Sequence, residues 1–136
     1  MDRPNAGIDN VNQPQADRGT FMKVILLVDD TAELLEAMTI YLERGGFNVK
    51  TAINGAEALR LIKSEEIIDA VVTDLQMPIM SGIELVNQSR SIGFDKPIIM
   101  WSGDMDPKLK GLNCFLHKGQ TKEVVQMLKI LLLEAA

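Results

Sequence analysis

The chain has 136 residues, 46% of them apolar and 24% charged, and carries a net charge of −5 at neutral pH; this fits one globular domain and excludes a disordered chain. The single Cys114 excludes a disulfide framework, and an acidic balance with no basic run longer than two residues excludes a nucleic-acid surface. No apolar stretch approaches the ~20 residues of a membrane span, and the N-terminal segment has no apolar signal core, so the expected location is cytoplasmic, with no membrane contact.

Residues 1–21 are rich in Asn, Gln, Asp, Gly and Pro, with Ile8 and Val11 the only sizeable apolar side chains between Met1 and Phe21. Such a segment buries too little surface to offset its ordering entropy, so a disordered tail is expected over 1–21 and one folded domain over 22–136. The run VILLV at Val24–Val28 is continuously apolar, as a parallel strand covered on both faces must be. Thr31 is placed to cap a helix whose apolar face uses Leu34, Leu35, Met38, Tyr41 and Leu42, and Gly45 and Gly46 end it.

A short strand follows over Phe47–Ala52. Asn54 with Glu57 reads as a capping box opening a helix through about Lys63. Asp69–Thr73 is a second buried-type strand, and Ser81 with Glu84 opens a helix through about Ile92. Pro97–Trp101 and Asn113–His117 supply two more strands, and Thr121–Glu134 the last helix. Strands alternating with helices imply βαβ units, a parallel sheet and right-handed crossovers.

In open parallel sheets, ligands bind beyond the carboxyl ends of the strands. Here those ends carry Asp29 and Asp30 after the first strand, Asp74 after the third, Ser102 after the fourth and Lys118 after the fifth. An Asp-Asp pair alone is more often a turn or a helix cap, and a lone lysine says less. Joint placement at successive strand ends of one fold pattern reverses that reading.

Three carboxylates in one cleft repel unless a cation compensates. Mg²⁺ suits the set, because it takes oxygen ligands and binds through one or two carboxylates plus phosphate oxygens. Asp30 and Asp74 are candidate direct ligands, with Asp29 acting through water. A metal beside a lysine and a hydroxyl equips the site for phosphoryl transfer, and Asp74, on the central strand, is the candidate nucleophile.

The runs VILLVDD, VVTDLQMPIMSG, WSG at Trp101–Gly103 and HKG at His117–Gly119 together resemble the receiver domains of two-component response regulators, over about residues 22–136. The resemblance implies a flavodoxin-like (βα)5 doubly wound parallel sheet with strand order 2-1-3-4-5. It implies Asp74 as phosphoacceptor, Asp29 and Asp30 as the acidic metal pair, and the Gln76 backbone carbonyl as a further Mg²⁺ ligand. Ser102 would be the hydroxyl that moves to the phosphoryl group, Lys118 the cation that contacts it, and Phe115 the aromatic switch, with ordinary core packing the competing role for Phe115. The implied donor is a phosphohistidine on a sensor histidine kinase or a histidine phosphotransfer protein. His117 is not that histidine.

Two departures from the family pattern stand out. Gly119 follows the lysine where the family usually has proline, often with a cis peptide bond. Only fifteen residues separate Ser102 from Lys118, and Pro107 and Gly111 fall among them, which leaves room for about one and a half helical turns. The fourth helix is therefore expected to be shortened or missing, which puts in doubt the partner or dimer face that family members build on it.

In TKEVVQMLKILLLEAA, Val124, Met127, Leu128 and Leu131 suit a core face, yet Val125, Ile130, Leu132 and Leu133 remain. Scattered exposed leucines are one account; a patch for a homodimer or another protein is the other.

The expected function is a stand-alone receiver, with no output domain after residue 136, that takes a phosphoryl group on Asp74 and switches its binding to a downstream protein. It catalyses only its own phosphorylation and dephosphorylation. The competing reading is a phosphorylation-independent interaction domain silenced by the altered loops. A metal-dependent phosphohydrolase would want a second acid-base carboxylate and a substrate pocket, and neither is visible.

Overall fold

The computed structural model describes residues 22–135; the tail expected over 1–21 lies outside the described residues. Five strands and four helices follow in chain order: β1 (Val24–Val28), α1 (Ala32–Arg44), β2 (Asn48–Ala52), α2 (Gly55–Lys63), β3 (Ala70–Thr73), α3 (Gly82–Ser91), β4 (Ile98–Ser102), β5 (Cys114–His117) and α4 (Thr121–Ala135). Every strand pairing is parallel, and the strands lie in the order β2-β1-β3-β4-β5. This is the expected flavodoxin-like order. The order reverses between β1 and β3, so their carboxyl ends open the crevice in which such folds bind ligands.

The central strands β1, β3 and β4 are almost wholly apolar because both faces are covered, whereas the edge strand β2 carries Asn48, Lys50 and Thr51. Ile25, Leu27, Val72, Ile99 and Trp101 meet α1 and α4 through Leu35, Met38, Leu42, Val124, Leu128 and Leu132. Leu26, Val28, Val71, Ile98 and Met100 point the other way, onto Ala58 and Leu59 of α2 and Leu85 and Val86 of α3. Alternate residues of one strand thus feed two layers, and each fully buried Leu or Ile contributes ~1.5–3 kcal/mol.

The three expected helix caps have different outcomes. Ser81 forms a complete capping box with Glu84. Asn54 accepts the Glu57 N–H at 2.8 Å, but the Glu57 carboxylate returns to the Ile53 N–H at 2.9 Å rather than to the cap residue. Thr31 occupies the N-cap of α1 with no side-chain cap bond. Its own N–H donates instead to Asp29 Oδ1 at 2.9 Å.

The fourth crossover contains no helix between β4 and β5, as its length implied. Asp106 Oδ1 accepts the Lys108 N–H at 2.8 Å, an Asx turn that offers the backbone a non-helical partner. Lys108 and Gly111 then take positive φ angles of 51° and 96°. Leu109 and Leu112 pack onto the α2/α3 side of the core where a helix would have lain.

Arg90 of α3 ties this segment down. Its guanidinium donates to the carbonyls of Gly111, Phe94 and Lys96 and to Asn113 Oδ1 at 2.7–3.0 Å, and burial lowers its pKa against a smaller opposing effect of Asp95.

Candidate functional site

Asp29 leaves the end of β1 at the sheet's reversal point. Its N–H donates to the Ala52 carbonyl at 3.1 Å, which carries the β1–β2 ladder one residue past the strand. The side chain is 1% exposed; Oδ1 accepts the Thr31 N–H at 2.9 Å and Oδ2 accepts Lys118 Nζ at 2.7 Å. Asp74 leaves β3 in the same manner, its N–H donating to the Val28 carbonyl at 2.9 Å. Its Oδ1 accepts the Leu75 N–H at 2.7 Å and its Oδ2 accepts Lys118 Nζ at 3.3 Å. Asp30 is exposed, and one carboxylate oxygen from each of Asp29, Asp30 and Asp74 lies within 4.8 Å of the others.

Lys118 reaches this cluster from a tight turn. The Gln120 N–H closes it on the His117 carbonyl at 2.8 Å, and Gln120 Oε1 accepts the His117 N–H at 2.8 Å. The described residues contain no cis peptide bond. The turn with Gly119 therefore delivers the lysine through an ordinary trans linkage, and the Lys118 N–H donates to the Ser102 carbonyl at 3.0 Å.

The geometry brings together Asp29, Asp30, Asp74 and Lys118. Ser102 ends the adjacent strand and is fully buried, but its hydroxyl is engaged by Asp104: Oγ donates to Oδ2 at 3.1 Å and accepts the Asp104 N–H at 3.1 Å. Gln76 is exposed in the loop after β3, two residues beyond Asp74. Phe115 sits half-buried on β5, packed on the α2/α3 side of the core and edge-on to the His117 ring at 5.3 Å.

Two residues that shape the site carried no such meaning in the sequence. A Cβ on Gly82 would stand 2.1 Å from the Asp74 carbonyl oxygen, so only glycine lets α3 start against the backbone of that aspartate. Trp101 lies beneath the lysine, with Nζ 4.9 Å from its ring centroid. Its place beside Ser102 was visible in the sequence; its place under Lys118 was not.

Chemically, the cleft holds three carboxylates against one ammonium, a set of groups that could hold a divalent cation beside an oxyanion. The Asp74 side chain is 13% exposed, enough to be reached from solvent. The sequence pattern of the response regulator receiver domain matches residues 25–128. The chain belongs to that family.

The receiver is 36% identical over 98 residues to the transcriptional regulatory protein PrrA of Mycobacterium tuberculosis, covering 71% of this chain and 42% of that protein. It therefore spans less than half the length of that relative. Among solved structures it resembles the CheY-like response regulator receiver domain protein of Methanospirillum hungatei, with a TM-score of 0.76, 25% identity, and 83% and 95% of the two chains covered. It also resembles the response regulator TrrA of Thermotoga maritima, solved in complex with Mg(2+)-BeF, with a TM-score of 0.74, 29% identity, and 81% and 99% covered. Among the described residues, no helix of the receiver is long and apolar enough to cross a membrane.

Proposed function

We propose that the chain takes a phosphoryl group onto Asp74 from a phosphohistidine donor, a sensor histidine kinase or a histidine phosphotransfer protein, and that this changes the surface it offers to a downstream protein. The observation that carries the reading is Lys118 Nζ placed between Asp29 Oδ2 and Asp74 Oδ2, at 2.7 and 3.3 Å, with Asp30 in reach of both acids. The reaction is a displacement at phosphorus: an Asp74 carboxylate oxygen forms the new O–P bond, and the N–P bond to the donor imidazole breaks with its electron pair left on nitrogen. The Leu75 N–H fixes the Asp74 carboxylate by its Oδ1, and Lys118 meets the negative charge of the arriving phosphoryl oxygens.

The acidic set fits magnesium. Three carboxylates face a single ammonium, and the uncompensated charge matches a hard divalent ion with oxygen ligands. Asp29, Asp30, Asp74 and the Gln76 carbonyl would hold it, and when bound it neutralises charge on the transferring oxygens. The TrrA structure, solved in complex with Mg(2+)-BeF, supports this cofactor.

For Ser102 to bind the phosphoryl group, its hydroxyl must leave Asp104. Ser102 is in register with His117, and Met100 with Phe115, so movement at the end of β4 bears directly on the strand that carries Phe115. The segment over 103–113, rather than a helix, is then the element whose arrangement reports phosphorylation. The chain catalyses only its own phosphorylation and dephosphorylation. The phosphorylation-independent alternative has no observation in its favour, since the acids and the lysine meet rather than diverge.

The test is intact-mass spectrometry after incubation with Mg²⁺ and acetyl phosphate. One added phosphoryl mass, absent in Asp74→Asn and without Mg²⁺, is the expected result. No adduct on the wild-type chain, or an adduct retained in Asp74→Asn, overturns the reading.

A further inference from the structure

We propose that Trp101 is a positioning residue for Lys118, its indole face holding the ammonium between Asp29 and Asp74. The inference rests on the phosphoryl-transfer reading for its consequence, although the geometry behind it does not.

Lys118 has little else to brace it from below. It sits at the crown of a turn, and a Cβ on the following Gly119 would meet nothing within 4 Å. A lysine side chain with four rotatable bonds loses much rotamer freedom when it is fixed, and this one is 24% exposed, so solvent competes for its head. Trp101 and Leu116 are partners in the parallel β4–β5 register and pack on the same side of the sheet. Two residues after Leu116, Lys118 projects to that side and returns across the indole, with Nζ 4.9 Å from the ring centroid. That distance lies inside the range over which an aromatic face attracts a cation, and tryptophan is the strongest of the three aromatic side chains in this respect.

The burial of Trp101 points the same way. The residue is 4% exposed and its Nε1–H has no hydrogen-bond partner. Packing alone would be served by phenylalanine or leucine without a desolvated donor. The indole is best explained by what its face does, which is to hold a cation. Unlike the carboxylate of Asp74, that face keeps its character when Asp74 becomes an acyl phosphate, so the ammonium stays aimed at the site through the transfer.

Trp101 is the only tryptophan of the chain, so biosynthetic fluorotryptophan labels this ring alone. Fluorine withdraws charge from the face at almost constant volume, and the unpartnered N–H has no bond to disturb. Phosphorylation rates with Mg²⁺ and acetyl phosphate should fall stepwise from tryptophan to monofluoro- to trifluorotryptophan at unchanged melting temperature. Trp101→Phe should keep much of the rate, and Trp101→Leu should lose about threefold to thirtyfold, the span expected for a cation held by an aromatic face.

A second measurement needs no phosphodonor: the Lys118 ε-methylene resonance in NMR should be displaced by the indole ring current in the wild-type chain, and its side-chain order should drop in Trp101→Leu. Rates independent of fluorine content, or a Lys118 side chain equally ordered in Trp101→Leu, overturn the proposal. If the wild-type chain takes no phosphoryl group, the proposed function falls, and the Lys118 order alone decides whether Trp101 holds the ammonium.

Discussion

Gly82→Ala isolates the contact between α3 and the phosphoacceptor backbone. The added Cβ would lie 2.1 Å from the Asp74 carbonyl oxygen and 3.1 Å from both the Asp74 carbonyl carbon and the Leu75 Cα. An ordinary contact needs well over ~1 Å more, and the neighbours are backbone atoms that cannot rotate away. Two bonds hold them in place: the Gly82 N–H donates to the Leu75 carbonyl at 2.8 Å, and the Thr73 hydroxyl donates to the Asp74 carbonyl at 2.9 Å. Forcing a methyl into such a site costs about 1–3 kcal/mol, which lowers the melting temperature of a domain this size by roughly 4–12 °C. A displacement of about 1 Å at Asp74 also misaligns the carboxylate, for which losses of up to about a hundredfold in rate are known. The assay pairs a calorimetric melt with the acetyl phosphate reaction. Gly103→Ala serves as the stability control, because a Cβ there meets nothing within 4 Å. A Gly82→Ala chain that melts with the wild type and phosphorylates at its rate would refute the reasoning.

Arg90→Leu removes five hydrogen bonds, three to Gly111 and Asn113 between β4 and β5 and two to Phe94 and Lys96 ahead of β4, and should cost about 2 kcal/mol in urea unfolding, since several acceptors regain water; amide exchange should quicken over 103–113, and a loss under about 0.5 kcal/mol would count against the clamp. Asp104→Ala releases the Ser102 hydroxyl from its carboxylate partner. If that bond is worth about 1 kcal/mol, phosphoryl occupancy at limiting acetyl phosphate should rise about fivefold, and unchanged occupancy would show that Asp104 does not restrain Ser102. Burial, with a smaller contribution from the negative charge of Asp106, raises the Cys114 thiol pKa. Less thiolate is then present at neutral pH, so iodoacetamide should alkylate Cys114 more slowly than an unhindered thiol and only gain speed above the usual thiol range; equal rates at neutral pH would remove that argument.

The alternation of apolar strands and amphipathic helices was legible because parallel strands covered on both faces admit little but Val, Ile, Leu and Met, as Ile25–Val28 and Ala70–Val72 do. That the fourth helix would be shortened or missing was legible from the short span, Pro107 and Gly111. Helix starts were read correctly where the cap needs only neighbours three residues apart, as at Ser81. At Thr31 the reading of a side-chain cap failed, since no such bond forms and the Thr31 N–H goes to Asp29. The convergence of Asp29, Asp30, Asp74 and Lys118 was inferred from strand ends, and the sheet order realises it.

Local propensity and periodicity were enough to place the elements and the chemistry-bearing strand ends, and the short span from Ser102 to Lys118, set against the family pattern, was enough to expect a fourth helix shortened or missing. Only the tertiary structure decided that Trp101 lies under Lys118, that Arg90 holds the segment over 103–113, that Asp104 occupies the Ser102 hydroxyl, and that Gly82 presses on the Asp74 carbonyl. Most of those contacts join different elements, so their distances depend on crossover geometry and strand register. No run of neighbouring residues encodes that register on its own.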